Sequence, residues 1–209
     1  MLQQLRTHPA TAEHEEDIIR LALANHMFEV GELDGMAEML HGYLDGSLED
    51  HHWVVAERRN ADVVGAAYYA PEPFADRLWN LYFIAVDPDC HGVGAGTQLL
   101  GHVERALQDR GEDVARILIV ETSSTDAYAN ARGFYRARGY DEEARIRDFY
   151  GPGDDKVVYW KALTKRTPEP AHDAGTAGVT ETSSHGLVDD APVGAGEVLR
   201  DDHQVNRFT

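Results

Sequence analysis

Apolar positions recur at helical spacing in some stretches and run almost unbroken in others, and this contrast divides the first 166 residues into alternating elements. Residues 2–7 read as a first strand. Thr11 is placed to cap a helix, with Glu13, Glu15 and Glu16 near its positive end, and Ile18, Leu21 and Ala22 follow at helical spacing. Leu33, Met36, Ala37 and Leu40 mark a second amphipathic helix that ends near Gly42 or Gly46. Residues 53–57 form a strand, 58–62 a turn, and 63–69 the hairpin partner, which Pro71 and Pro73 break. Residues 78–86 are apolar enough for burial on both faces. A helix over 97–110 follows, with Leu99, Val103 and Leu107 in one stripe, Leu100 and Ala106 widening it, and Gly111 ending it. A strand at 114–120, a helix at 127–138 capped by Asp126 and stopped by Gly139, and a strand at 157–163 complete an α/β order.

After Arg166 the periodicity stops. Residues 167–209 hold prolines, glycines, Ser, Thr and acids, with too little apolar surface to offset the entropy of ordering. The expectation is one domain over 1–166 and a disordered acidic tail over 167–209.

Composition narrows the partners. The chain has 209 residues, 43% of them hydrophobic, which suffices for one core. Its net charge of −18 disfavours nucleic acid, whose binding depends on Lys and Arg neutralising phosphates, and draws a cationic acceptor instead. No apolar run has the length of a membrane span, no signal peptide is read at the start, and the single cysteine, Cys90, excludes an internal disulfide. A cytoplasmic protein without a membrane partner is expected. His41, His51 and His52 lack metal-ligand spacing and read as surface histidines, so no metal site is expected.

The chemistry is concentrated in Val86-Asp87-Pro88-Asp89-Cys90-His91-Gly92-Val93-Gly94-Ala95-Gly96-Thr97. A buried strand ends there and three glycines open a helix. Free N–H groups at a helix N-terminus, with glycines that let a ligand approach the backbone, make a phosphate cradle. A dinucleotide fingerprint fails, because its third glycine would fall at Thr97 or Leu99. A P-loop fails at His102. A glycine-rich connection without a ligand is the plainer alternative. A second signal is Ala131-Arg132-Gly133-Phe134-Tyr135-Arg136-Ala137-Arg138-Gly139-Tyr140, whose Phe-Tyr pair also suits simple core packing.

Together the two segments resemble the GCN5-related N-acetyltransferases (GNAT). The first matches Q/R-x-x-G-x-G/A, read as His91-Gly92-Val93-Gly94-Ala95-Gly96. The second matches A-x-x-F-Y-x-x-x-G-F/Y. The resemblance covers roughly residues 53–163. It implies a central mixed, mostly antiparallel sheet flanked by helices, with acetyl-CoA as co-substrate and direct transfer to a primary amine in a ternary complex. His91, Gly92, Val93, Gly94, Ala95, Gly96 and Thr97 would hold the pyrophosphate, with His91 in place of the usual Gln or Arg. Ile84, Ala85 and Val86 would pair with pantetheine like an added strand. An N–H near Ala85 or Val86 would polarise the carbonyl, and Tyr135 would protonate the departing sulfur. Tyr128 stands where the family has an Asn, so that Asn contact is not carried over, although Tyr128 stays in the expected cofactor-binding set.

The family's frequent Glu on the fourth strand falls at Asn80, which cannot act as a base. Glu121 is the candidate base, through water; its alternative role is to partner the Ser123/Ser124 loop. Asp148, Asp154 and Asp155 are candidates for an acceptor pocket, and 145–150 is expected as a loop over the cleft. Cys90 reads as incidental, and Trp79, Tyr82 and Phe83 as core or cleft walls. A small, cationic amine is the expected acceptor, and a homodimer the default assembly. Two other readings compete: a non-catalytic acyl-CoA-binding regulatory module, and a nucleotide-binding α/β protein.

Overall fold

A computed structural model describes residues 5–25 and 33–163. The expected tail at 167–209 and the start of the expected first strand lie outside the described residues. Among the described residues, seven strands form one sheet: β1 (Arg6–Pro9), β2 (His52–Glu57), β3 (Val63–Pro71), β4 (Leu78–Val86), β5 (Ile117–Ser123), β6 (Asp141–Gly151) and β7 (Asp154–Ala162), in the order β1-β2-β3-β4-β5-β7-β6. Every neighbouring pair is antiparallel except β4 and β5. The helices are α1 (Glu15–Ala24), α2 (Leu33–Leu44), α3 (Ala95–Asp109) and α4 (Ala129–Arg136).

The periodicity of each helix decides which face of the sheet it covers. α1 and α2 bury Ile18, Leu21, Met36 and Leu40 against Trp53, Val55, Ala66, Tyr68, Phe83 and Ala85. α3 buries Leu99, Leu100, Val103 and Leu107 against the opposite face, with Val54, Val64, Ala67, Trp79 and Leu81. Each of the Val, Leu, Ile, Phe and Met side chains buried here contributes about 1.5–3 kcal/mol of transfer free energy. Covered on both sides, β3 is buried from Val63 to Ala70.

A bulge in β4 adjusts this pattern. Tyr68 pairs with Phe83 and Tyr69 with Leu81, which leaves Tyr82 without a ladder partner. The extra residue shifts the side-chain alternation. Leu81, Ile84 and Val86 therefore share the α3 face, while Phe83 and Ala85 pack toward α1.

Several boundaries differ from the sequence expectation. β5 begins at Ile117, not Val114, because residues 111–115 form a turn in which Val114 and Ala115 donate N–H bonds to Gly111 O. The strand runs on to Ser123, which places Glu121 inside it. α3 starts two residues early, at Ala95. Asp126 is not the cap of a long helix: a 3₁₀ turn at Asp126–Tyr128 follows Thr125, and α4 begins only at Ala129. Ser123 Oγ accepts the Thr125 N–H at 3.0 Å and tightens that turn. The expected loop at 145–150 is strand β6, held to β7 by a ladder and by Arg145, which binds Asp155 Oδ2 and Glu142 Oε1 at 3.2 Å each. Nine of its residues are exposed, so no apolar alternation marked it. His51 and His52 are half-buried, unlike exposed His41; His52 stacks on Trp79 with ring centroids 5.8 Å apart.

Candidate active site

A cleft opens because β4 and β5 pair over three residues only, Leu78–Asn80 with Ile117–Ile119. Beyond them the two strands carry no shared ladder, and α3 and α4 close the far ends. The resulting cavity of about 730 Å³ is lined by Leu81, Ile84 and Val86 of β4, Glu121 and Thr122 of β5, the glycine loop, and residues of 127–138.

Backbone direction along β4 selects the groups that face the cleft. The Asp87 N–H donates to Val64 O at 2.9 Å. By alternation Ala85 also turns its backbone toward β3, while Ile84 and Val86 turn theirs away from it. Ile84 and Val86 line the cleft. Ala85 does not; it is buried on the α1 side.

The loop shapes one end of the cleft. Asp87 Oδ1 accepts the Asp89 N–H at 3.0 Å, and a 3₁₀ turn at Pro88–Cys90 follows. Gly94 is the N-cap of α3 at φ 91°, a left-handed conformation strained for any residue with a Cβ. Its lack of a side chain leaves the first-turn amides of Ala95, Gly96 and Thr97 uncapped. A Cβ on Gly96 would lie 3.3 Å from Phe134 Cε2, so even a methyl group here requires the Phe134 ring to shift by a few tenths of an ångström. An anionic group fits here: open amides, a positive helix end and bare backbone converge. His91, Gly92, Gly94, Ala95, Gly96 and Thr97 all line the cavity, whereas Val93 points out and is exposed. The His91 ring donates from Nε2 to Val86 O at 3.2 Å, so it braces the loop against β4.

Tyr135 lines the cleft from α4 and is only 4% exposed. Its ring lies among Phe134, Tyr140 and Tyr159, at centroid distances of 5.4, 5.9 and 5.5 Å. Burial raises its pKa well above the ordinary phenol value, so it is a neutral O–H donor across the physiological range. Tyr128 lines the same wall.

Glu121 also reaches the cleft, but its alternative partner is not the serine loop. Its Oε2 is 2.6 Å from Lys156 Nζ, which in turn lies 3.7 Å from the centre of the Phe149 ring. The serine loop is held by Asp154 Oδ1, which accepts from Ser123 Oγ at 2.6 Å and Ser124 N at 3.2 Å. Asp148 and Asp155 likewise brace the β6–β7 hairpin: Asp148 Oδ1 accepts from Gly153 N at 2.7 Å, and Asp155 Oδ1 from Asp148 N at 3.0 Å. The three aspartates thus serve the hairpin and its neighbouring loop.

Sequence reading missed a carboxylate beside Asn80. Glu72 Oε2 accepts from Tyr82 Oη at 2.8 Å and from Asn80 Nδ2 at 3.3 Å. Burial first, then the Glu72 hydrogen bond, raises the Tyr82 pKa, and the Glu121 charge adds to it. Glu72, Tyr82 and Glu121 therefore share one electrostatic neighbourhood. Only the placement of β4, β5 and the segment just after β3 brings them together. Arg138, which lines the cleft beside Thr97, was also missed, although it lies inside the quoted segment. Cys90 is buried, within 2.8 Å of Arg58 Nη2.

On β1 and β2, Glu57 joins His8 and His14, with Oε2 2.8 Å from His8 Nε2 and Oε1 3.0 Å from His14 Nε2. Burial would raise the Glu57 pKa, but the two histidine hydrogen bonds outweigh it and lower the carboxyl. The Thr11 N–H donates to His14 Nδ1 at 2.9 Å, which leaves Nε2 as the protonated nitrogen. The trio has the side chains of a metal site, yet this tautomer makes it a hydrogen-bonded clasp between β1, β2 and the start of α1.

The acetyltransferase (GNAT) family model matches residues 11–140, and the chain belongs to that family, one of acetyltransferases that use acetyl-CoA. Among solved structures, a GNAT-family protein from Desulfovibrio desulfuricans is 29% identical, covering 77% of this chain and 100% of its own, with a TM-score of 0.70. The ribosomal-protein-S18-alanine N-acetyltransferase of Escherichia coli shares the fold at 18% identity, covering 80% of this chain and 99% of its own, with a TM-score of 0.61. An aminoglycoside 6'-N-acetyltransferase, crystallised with coenzyme A, matches at 15% identity over 77% of this chain and 98% of its own, also at 0.61. No curated protein sequence matches the chain significantly. Among the described residues, no helix is long and apolar enough to cross a membrane.

Proposed function

We propose that the chain transfers an acetyl group from acetyl-CoA to the primary amine of a small, cationic acceptor by direct attack in a ternary complex. The observation that carries this reading is the cleft itself: open helix-start amides at one end, Tyr135 on its wall, and the Glu121 carboxylate in its lining. Acetyl-CoA supplies the thioester. The first turn of α3 binds its diphosphate, and the outward backbone groups of Ile84 and Val86 align pantetheine as an added strand.

Tyr135 donates a hydrogen bond to the departing sulfur. An alkyl thiol has a pKa of about 8.5 and a phenol about 10, and burial raises Tyr135 further, so stabilising the thiolate by a hydrogen bond is cheaper than complete proton transfer. Glu121 accepts the amine proton through water, and its pairing with Lys156 fixes its orientation. The acceptor approaches from the side of Tyr82 and Glu72, where carboxylates meet an aromatic surface. The chain's charge of −18 attracts a cationic amine. The acidic segment 167–209 is a separate extension of this catalytic domain, and a cytoplasmic homodimer completes the proposal.

Release of free CoA thiol from acetyl-CoA, measured across an amine panel, tests the reading. Turnover with a diamine or amino sugar supports it. Asn80 in place of the usual Glu favours the second reading, a regulatory acyl-CoA-binding module. Tight CoA binding without turnover across the panel would establish that alternative.

A further inference from the structure

We infer that Arg138 is the cationic anchor for the diphosphate of the co-substrate, a role that rests on the acetyl-CoA reading above. Among the described residues lining the cleft, Arg138 is the sole Lys or Arg. The segment 87–97 contains Asp87 and Asp89 but no lysine or arginine. His91, which stands at the loop's Gln/Arg position, is turned onto Val86 O. Asp87 is paired with Arg20, Oδ2 to Nη1 at 3.0 Å, and neither aspartate lines the cleft, so a diphosphate reaching the α3 amides meets no cation from this segment. The helix end alone offers only about half a positive charge.

The geometry around Arg138 prepares it for that anion. Its Nη2 donates to Thr97 Oγ1, the third residue of α3, so the guanidinium sits at the open end of the helix. Its Nη1 donates to Phe134 O at 3.1 Å, and its centre lies 3.7 Å from the middle of the Phe134 ring. The same ring closes over Gly96. Its Nε is buried and has no hydrogen-bond partner. A planar, stacked guanidinium is held in one orientation and offers paired donors to phosphate oxygens. Two unrelated elements, the start of α3 and the end of α4, thus converge on one anion site.

Calorimetry with the full chain tests this, using CoA, dephospho-CoA (no 3'-phosphate) and pantetheine (no diphosphate) at several KCl concentrations. Arg138→Gln should weaken CoA and dephospho-CoA equally, by about 10- to 100-fold, with a shallower salt dependence. Pantetheine affinity should stay the same. Arg138→Lys, which keeps charge but not the planar donor pair, should lose less, and it keeps the test open if the glutamine variant does not fold. Unchanged CoA affinity would overturn the assignment. So would a loss confined to CoA, which would place the arginine on the 3'-phosphate, or an equal loss for pantetheine, which would reduce it to a prop for Phe134 and Thr97. If the unsubstituted chain bound none of the three ligands, the acetyl-CoA reading itself would fall.

Discussion

The two sides of the cleft are built from different materials. The proposed cofactor side consists mainly of backbone: the amides of the α3 start, the outward groups of Ile84 and Val86, and glycines that leave the chain bare. The proposed acceptor side consists of side chains: Glu121, which lines the cavity, and its neighbours Glu72, Tyr82 and Lys156, contributed by β4, β5, β7 and the segment just after β3. A backbone site depends on local conformation and tolerates change wherever no Cβ intrudes. A side-chain site depends on register, so one substitution can redirect it. Cofactor use should therefore be the more robust property, and acceptor choice the more readily altered one.

The largest expected effect breaks the cofactor side. Gly96→Val would add a branched side chain where a bare Cβ already meets Phe134 at 3.3 Å. It should push α4 away from α3 and lower CoA affinity by about 100-fold or more, since overpacking of this kind costs roughly 1–3 kcal/mol on top of the lost cradle contacts. Acceptor affinity should fall much less. Equilibrium binding of CoA and circular dichroism on the same sample distinguish a closed cradle from an unfolded protein. Unchanged CoA binding would show that the amides of 95–97 are not the cradle.

Tyr135 borders both sides, and its removal separates binding from chemistry. Tyr135→Phe keeps the ring among Phe134, Tyr140 and Tyr159 and deletes only the hydroxyl. kcat should drop by about 10- to 100-fold, with little change in the KM for acetyl-CoA. Burial raises both Tyr135 and Tyr82, so each stays protonated at every pH below its raised pKa. The kcat profile should accordingly show no alkaline decline from either phenol up to about pH 10. A decline near pH 8 that disappears in Tyr135→Phe would contradict the assigned state.

The acceptor side can be divided by comparing two carboxylates. Glu121→Gln removes the proposed base and should reduce kcat by about 100-fold or more. Glu72→Gln should leave kcat nearly unchanged and raise the KM for a cationic amine by about 10-fold, the scale of one lost charge-assisted contact. CoA affinity should hold in both. If the two substitutions changed kcat and KM alike, a single role would be shared between Glu72 and Glu121, and the assignment of Glu121 as the base would fail.

The contrast between the two sides also explains what could be read from the sequence. Glycines at fixed spacing before an amphipathic helix point to a backbone cradle, because a residue with a Cβ is strained at φ 91° and presses on Phe134 at Gly96. The place of Tyr135 on the cleft wall was legible from the motif around it. Glu72 was not, because its meeting with Asn80 and Tyr82 depends on a strand register interrupted by a bulge. Lys156 pairs with Glu121 across a ladder whose partners lie far apart in the chain. Arg138 resembled an ordinary cation near a helix C-terminus, and only the approach of α3 gives it a second role. β6 was invisible for a simpler reason: with water on both faces, it needs no alternation.

The smallest expected effect concerns the root that both sides share. β4 and β5 diverge from the pairs formed by Leu78–Asn80, and Trp79 lies in the middle of that contact. His52 stacks on Trp79 and packs at a tilt against Tyr69, and burial first, then the Arg110 charge, lowers its pKa to about 4. An unfolded histidine titrates near 6.5, so between about pH 6.5 and 4 the unfolded chain binds a proton that the folded chain refuses. The neutral ring's contribution is fully present above the unfolded value and is lost as the pH falls through that window. Discounted for the solvent that reaches a half-buried ring, it is about 1–2 kcal/mol. His52→Phe should flatten the fall in melting temperature across that window by a few degrees relative to the unsubstituted chain. Protonation at the root should also weaken CoA and acceptor binding together, whereas damage to either side weakens one. Scanning calorimetry at pH 7, 5.5 and 4.5, with and without CoA, would separate these cases; an identical slope in both chains would remove His52 as the source.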